Sequence, residues 1–361
     1  MKSSWPTKKL GEIVEKPELK KAPIGSWPYV EIGDIDIENK SIIFKDKKSI
    51  RGAIIAPADS VLVSRVRPTR GAIVYIDKDY VVSSAFSILK PKLSESFSKF
   101  LFYWFGFSKN FFQYLQKKQK GSNYPSVREK DVLNFKIFLP PLKIQQKIVE
   151  RLDAIKKAQE LNDKQITLTD ELFQSLLHRE LDPKLKTQKS KLQIKIKKLR
   201  DVVEINYGKG LTKSERNGKY YAYGSNGPVY KTNRILVNYP TIIIGRKGAA
   251  GALYLAKEPS YPIDTTFYTE IKDENELNLN FLYFLLQTMN LRNLAIITAV
   301  PGINRDSLYN LKIPLPPIET QRKIVEKLSA VQEYKKKLVE QREKLKELFE
   351  SVLHKSMAGK I

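Results

Sequence analysis

The chain contains no cysteine and only two histidines in 361 residues. Without cysteine there is no disulfide framework, no thiol nucleophile and no thiolate zinc site, and nothing argues for secretion. The histidines, His178 and His354, fall outside both globular stretches. A nucleophilic triad there would lack its base, and a histidine-based metal site would lack its ligands. No apolar run approaches 18 residues. The nearest, residues 97–114, is broken by Lys99 and Lys109, so neither a membrane span nor a secretory leader is expected. The phosphate-loop pattern GxxxxGK[ST] is absent, which argues against an ATP-driven motor. Residues 245–251 are glycine-rich, but their spacing is not the dinucleotide fingerprint and they precede a strand-like run. Both Pro-Pro pairs are flanked by leucine or isoleucine rather than by the acidic-or-Asn and aromatic residues of an adenine methyltransferase pocket.

What the chain has in excess is positive charge, a formal +25 from 64 Lys and Arg against 39 Asp and Glu. The charge is spread along the whole length, so a disordered basic tail does not account for it. A polyanion is the implied partner, with nucleic acid ahead of an anionic membrane surface. At 42% hydrophobic content, two or three domains can each bury a core.

The second feature is a repeat. Residues 139–178 and 315–354 share Leu-Pro-Pro, then Gln145/Gln321, a Lys-Ile-Val-Glu run, Leu152/Leu328 and Ala154/Ala330. After a variable middle they share Glu-Leu-Phe, a serine, and Leu-His; 17 of 40 positions agree at a fixed offset of 176. Each copy reads as one long helix, started by Pro-Pro and free of Gly and Pro for about forty residues, roughly 60 Å at 1.5 Å per residue. Apolar residues alternate at steps of four and three. They are Ile148, Leu152, Ile155, Ile166, Phe173 and Leu176 in the first copy, and Ile324, Leu328, Val331, Leu338, Leu345, Phe349 and Val352 in the second. This is a coiled-coil seam, in which polar Asn162 and charged Arg342 are candidates for fixing register. Two similar helices closing two similar segments are expected to pack on each other, antiparallel, about a pseudo-twofold axis. The histidines, near the helix C-termini, suit the negative end of the helix dipole or the seam.

The parts before the helices differ in detail and share a plan. In the first, β-branched runs at 42–44, 60–64, 72–76 and 80–89 indicate a small sheet. An aromatic helix over 97–119, a polar loop over 117–125 and a strand over 135–139 follow. In the second, strand-like runs at 234–238, 241–245, 252–255 and 265–271 precede an aromatic helix around 281–286, and a loop at 298–305 precedes a strand at 311–313. The openings also echo each other more weakly, with Lys8, Lys9 and Leu10 answered by Lys197, Lys198 and Leu199. The predicted organisation is α+β, with globular parts at 1–138 and 197–314, long helices at 139–181 and 315–361, and a lysine-rich linker at 182–196.

Three arginines, Arg65, Arg67 and Arg70, fall in one loop between strands, bracketed by Pro68 and Gly71. Arginine pairs bidentately with guanine N7 and O6, whereas lysine mostly neutralises phosphate. The polar loop offers Lys117, Lys118 and Lys120 for backbone and Ser122 and Asn123 for base edges, with Tyr124 a further candidate for DNA contact. The second part offers Lys209, Lys213, Arg216, Tyr223, Ser225, Asn226, Arg246, Lys247, Asn304 and Arg305. A solvated charged loop is the competing reading of each residue.

With these residues in view, the whole chain resembles the specificity (S) subunits of type I restriction-modification systems. The Leu-Pro-Pro…Gln…Lys-Ile-Val-Glu…Leu helix starts, the duplicated order, the 9–13 opening and the Gly121-Ser122 and Pro301-Gly302 loops carry the resemblance. The second opening departs from it, with Arg200-Asp201 where Gly11-Glu12 stands in the first. The resemblance implies two target-recognition domains, each reading half of a split double-stranded DNA sequence, held apart by the helix pair. It implies no catalysis and no cofactor in this chain. Two methyltransferase subunits would use S-adenosylmethionine to modify adenine N6, and restriction subunits would cleave with ATP and Mg. The lack of cysteine and of a leader separately leads to the expectation of a cytoplasmic protein. A second reading is a basic coiled-coil adaptor that binds nucleic acid without sequence choice.

Overall fold

The computed structural model describes residues 5–15, 20–26, 28–181, 194–295 and 301–359. Most of the 182–196 linker and residues 298–300 of the second loop lie outside that set. The chain forms two compact units. One is Met1–Asn162 with Gln341–Ile361; the other is Asp163–Glu340. Both long helices are unbroken, Leu142–Leu181 and Ile318–Met357, and each contributes to both units.

In the first unit, strand Ser60–Ser64 is wholly buried between Ile73–Ile76 and Phe86–Leu89, antiparallel to both. Thr7–Lys9 pairs antiparallel with Lys136–Phe138, clasping the start of the unit to the strand that leads into the first long helix. The core gathers Phe100, Leu101, Tyr103 and Phe105 against Ile148 and Leu152 of the first long helix and Phe349 and Leu353 of the second. Phe349 makes edge contacts with Tyr103 and Phe107, at 6.0 and 5.1 Å between ring centroids. Asp153 accepts from the Tyr103 hydroxyl at 2.5 Å and from Lys99 at 2.6 Å, and burial, helped by this carboxylate, raises the Tyr103 pKa.

The second unit repeats the plan. Strand Thr241–Gly245 is wholly buried between Leu253–Ala256 and Thr266–Ile271, and Val203–Tyr207 extends the sheet on its far side. Lys195–Lys198 pairs with Lys312–Leu315 as the equivalent clasp. Phe173 and Leu177 join Ile324 and Leu328 in the core with Phe281, Leu282 and Phe284. Lys327 reaches Glu180 at 2.7 Å and Lys335 reaches Asp170 at 2.5 Å; one number rises as the other falls, so the helices run antiparallel here. Such exposed pairs contribute at most about 1 kcal/mol each, and the apolar seam dominates the packing.

Along the seam Ile148, Leu152, Asn162, Phe173, Ile324, Leu328, Leu338 and Phe349 are buried; Ile155, Ile166, Leu176, Val331, Leu345 and Val352 are partly so. His178 and His354 are exposed in the last helical turns, beside the carbonyl ends.

Three sequence readings differ from the structure. The aromatic stretch 97–119 is two helices, Ser98–Gly106 and Lys109–Lys118, because the Ser108 hydroxyl caps the second by accepting from Phe111 N. The run 80–89 is two strands, Tyr80–Val82 and Phe86–Leu89, which belong to different sheets. The run 234–238 is not a strand, and only a single bridge, Val237 to Ser260, forms there.

The repeated glutamine has a physical reason. Gln145 is fully buried; its amide donates to the carbonyls of Glu95 and Pro140, each at 2.9 Å, and its oxygen accepts from the Ser96 hydroxyl at 2.9 Å. Gln321 does the same, donating to Glu276 and Pro316 at 2.8 Å and accepting from Asn278 N at 2.8 Å. In each unit one amide therefore locks the Pro-Pro helix start onto the domain. The departure at Arg200-Asp201 is also resolved. The Asp201 carboxylate accepts from Lys198 N at 2.9 Å, as Glu12 accepts from Lys9 N at 3.0 Å.

Candidate nucleic-acid interface

In the first unit the chain leaves the central strand at Ser64 and turns immediately. Arg65 is held from three sides. Its amide donates to Ala85 O at 3.0 Å, its carbonyl accepts from Val127 N at 2.9 Å, and its guanidinium donates to Ser84 O. Val66 bridges to Ser126, and Arg67 N donates to Pro125 O at 2.7 Å. The sequence predicts two separate basic loops, and these bonds join them into one surface. Arg67 then adopts the left-handed conformation, φ 47°, and Pro68–Arg70 forms one turn of 3-10 helix before Gly71. Proline pre-sets φ for the first position of that turn, and Gly71, at φ 78°, ends it in a region that suits glycine.

The second loop is equally built. Lys117 and Lys118 close the helix Lys109–Lys118, and Lys120 and Ser126 exchange backbone hydrogen bonds at 2.9 Å in both directions. Gly121, at φ 94°, makes the reversal, leaving Ser122, Asn123 and Tyr124 exposed. The Tyr124 ring is 72% exposed and carries the Arg67 guanidinium over its face, 4.7 Å from the centroid. Behind this surface Lys40 is buried and donates to Gly71 O at 2.7 Å; desolvation, with Lys156 nearby, depresses its pKa.

The second unit builds the same corner. Arg246 N donates to Thr265 O at 2.9 Å, its carbonyl accepts from Ile303 N at 2.9 Å, and its guanidinium donates to Asp264 O at 3.2 and 2.6 Å. Lys247 bridges to Gly302, and Gly248 N donates to Pro301 O at 2.9 Å, with Gly248 at φ 78°. Arg246, Lys247 and Gly248 therefore stand where Arg65, Val66 and Arg67 stand in the first unit. Ser225, at the tip of the hairpin Tyr220–Gly224 and Gly227–Thr232, has its hydroxyl 3.6 Å from where a Gly248 β-carbon would be, which brings Ser225 and exposed Asn226 to the same corner.

Tyr207, about half exposed, completes it. The guanidinium groups of Arg246 and Arg305 lie 5.5 and 5.1 Å from its ring centroid, and exposed Lys209 follows two residues on. No sequence signal marked Tyr207, which is an exposed aromatic at a strand end. Asn304 spends its side-chain oxygen capping helix Arg305–Tyr309, accepting from Asp306 N at 3.1 Å. Tyr223 is half-buried, and burial raises its pKa. Lys213 is exposed, and Arg216 stacks on Tyr230 at 4.7 Å from the centroid. Among the described residues no hydrogen bond joins Lys213 or Arg216 to the 246–248 loop.

Among the described residues no three His, Cys, Asp or Glu gather as metal ligands, and no helix is long and apolar enough to cross a membrane. Each unit thus presents a hydrogen-bonded loop pair with partly exposed Arg and exposed Lys and Tyr, the chemistry that contacts phosphate and base edges. The arrangement is a duplicated binding module.

The family model described as type I restriction modification DNA specificity domain matches residues 2–169 and again 192–347. The chain belongs to that family, and it is a non-catalytic DNA-specificity subunit of a type I restriction-modification system. Among curated relatives, the type I restriction enzyme MjaVIII specificity subunit of Methanocaldococcus jannaschii is 26% identical, covering 99% of this chain and 93% of that protein. The EcoprrI specificity subunit of Escherichia coli is 24% identical over 82% of this chain and 78% of its own length. Solved structures share the fold. The HsdS subunit of Thermoanaerobacter tengcongensis is 22% identical with a TM-score of 0.51, over 99% of this chain and 97% of that one. The S subunit of M. genitalium is 17% identical with a TM-score of 0.66, over 98% and 96%. A chain from a structure addressing complex assembly and conformational transition of the type I R-M system is 21% identical with a TM-score of 0.64, over 99% and 98%. Specificity subunits of this family act with methyltransferase and restriction subunits on DNA.

Proposed function

We propose that this chain gives its complex a bipartite, asymmetric DNA target, with residues 1–138 reading one half-site and 197–314 the other. The observation that carries the proposal is that both units build the same anchored corner and finish it with different residues, Arg67 in one and Gly248 in the other. A shared scaffold with divergent tips favours two different half-sites over one palindrome. Two methyltransferase subunits, one for each half-site, would bring S-adenosylmethionine and the pocket that receives the flipped adenine. Restriction subunits would bring ATP and Mg. The complex would work in the cytoplasm, where DNA and these enzymes meet. Arg70, Lys117, Lys118 and Lys120 in the first domain, and Lys209, Lys213, Lys247 and Arg305 in the second, would neutralise phosphate or meet base edges around each corner.

The test is selection from random duplexes by the full chain assembled with its methyltransferase partner. Enrichment of two unlike short motifs at a fixed separation is the expected result. Retention of all duplexes alike, falling only with salt, would point instead to a sequence-neutral basic adaptor.

A further inference from the structure

We propose that Arg67 is the residue that reads a guanine in the half-site bound by the first domain, and that Tyr124 holds it for that task. This inference rests on the bipartite reading above and adds the position and the base. Four observations single out Arg67 among the basic residues of the corner. First, Arg65 is already committed, with its guanidinium on Ser84 O, and its counterpart Arg246 is committed in the same way to Asp264 O. These two arginines form the floor of the corner. Second, Arg67 occupies a left-handed conformation, φ 47° and ψ 50°, that disfavours side chains with a β-carbon, and the second unit uses glycine there. A bulky residue kept at a position better suited to glycine marks a place where the side chain itself is used.

Third, the guanidinium lies over the exposed face of Tyr124 at 4.7 Å. The ring contact leaves its N–H donors without an oxygen acceptor. Among the described residues no carbonyl or carboxylate takes them, whereas the neighbouring Arg128 is bound to Asp131 at 3.0 Å. Fourth, Arg67 is flanked by exposed Arg70, Lys117 and Lys120, which are free to hold the phosphates on either side. A planar pair of unclaimed donors beside basic residues suited to phosphate matches guanine O6 and N7 in the major groove, and it matches no other base edge as well. In the second unit Gly248 brings no side chain to the same corner, so among the described residues a stacked arginine there comes from another position. Arg305 lies on Tyr207 there, beside Arg246, whose guanidinium is already bonded to Asp264 O.

The experiment uses the full chain assembled with its methyltransferase partner, with selected motifs and affinities measured for wild type, Arg67→Gly, Arg67→Lys and Tyr124→Leu across a salt series. Arg67→Gly installs what the second unit already has at this corner, so melting at or above the wild-type temperature is expected. Its motif should lose one G·C preference by about 10- to 100-fold. Every other position in both half-sites should be kept. Arg67→Lys keeps the charge without the fork and should lose the same preference while retaining overall affinity. Tyr124→Leu should weaken that position alone. An unchanged motif, relaxation at a position that was not G·C, or an equal loss for all duplexes with a salt slope flatter by about one would overturn the assignment. A wild-type complex that enriches no bipartite motif would overturn the underlying reading and the assignment with it.

Discussion

The corners after the two central strands are the most informative pair of regions in the molecule. Ser64 to Arg67 and Gly245 to Gly248 leave wholly buried strands, anchor an arginine on a backbone carbonyl, and dock on the loop before a short helix through equivalent hydrogen bonds. Up to that point the two are interchangeable. Beyond it one ends in Arg67 against Tyr124, and the other in Gly248 with Ser225 beside it. Backbone bonds do not depend on side-chain identity, so the frame persists while the tips diverge. The proposed reading of two different half-sites from one scaffold needs this division.

The largest expected effect breaks the frame the corners share. Removing one heptad from the variable middle of each long helix shortens both by about 10 Å at 1.5 Å per residue. At 3.4 Å per base pair, the preferred gap between half-sites should shrink by about three base pairs. Methylation mapping checks this, and an unchanged gap would show that helix length does not set it.

Next comes the lock at each helix start. Gln321→Leu would leave the buried Pro316 carbonyl and the part-buried Glu276 carbonyl and Asn278 N without these partners, a loss of about 3 kcal/mol in the second unit. Gln145→Leu should cost the first unit a similar amount through Glu95, Pro140 and Ser96. Denaturant unfolding of the two variants measures both, and a clear inequality would show that the repeat is not energetically even.

The smallest effect sharpens the difference between the short helices behind the corners. Helix Glu129–Leu133 is capped by the Asp131 carboxylate, which the hydrogen bond from Arg128 holds below its ordinary pKa of 3.8. That contribution is present above 3.8 and is lost as pH falls through the lowered folded value. Helix Arg305–Tyr309 is capped by the neutral amide of Asn304, which does not titrate. Hydrogen exchange in acid should therefore loosen the first turn before the second. Equal loosening would assign the stability of these turns to something other than their caps.

Much of the frame was legible in the sequence because it is written twice. The fixed offset of 176 marked both long helices to within a few residues, since Pro140-Pro141 and Pro316-Pro317 start them and Pro183 follows the first, although the second ends at Met357, short of the predicted 361. The same offset pointed to the loops at Pro125 and Pro301, whose carbonyls accept from Arg67 and Gly248. What was not legible depended on contacts remote in sequence. Nothing local says that Arg65 would be consumed by Ser84 O, that Arg67 would find Tyr124, or that Tyr207 would gather Arg246 and Arg305. The break at Phe107 was hidden because an aromatic helix and two shorter ones have the same apolar pattern, and only the Ser108 cap separates them.

The central claim is that each unit reads its own half-site independently on a common scaffold. It is tested most directly by replacing residues 197–314 with the corresponding part of another specificity chain and mapping methylation by the assembled complex. The account predicts that one half of the motif changes completely while the other half and the gap are retained. A motif in which both halves change, or neither does, would contradict it.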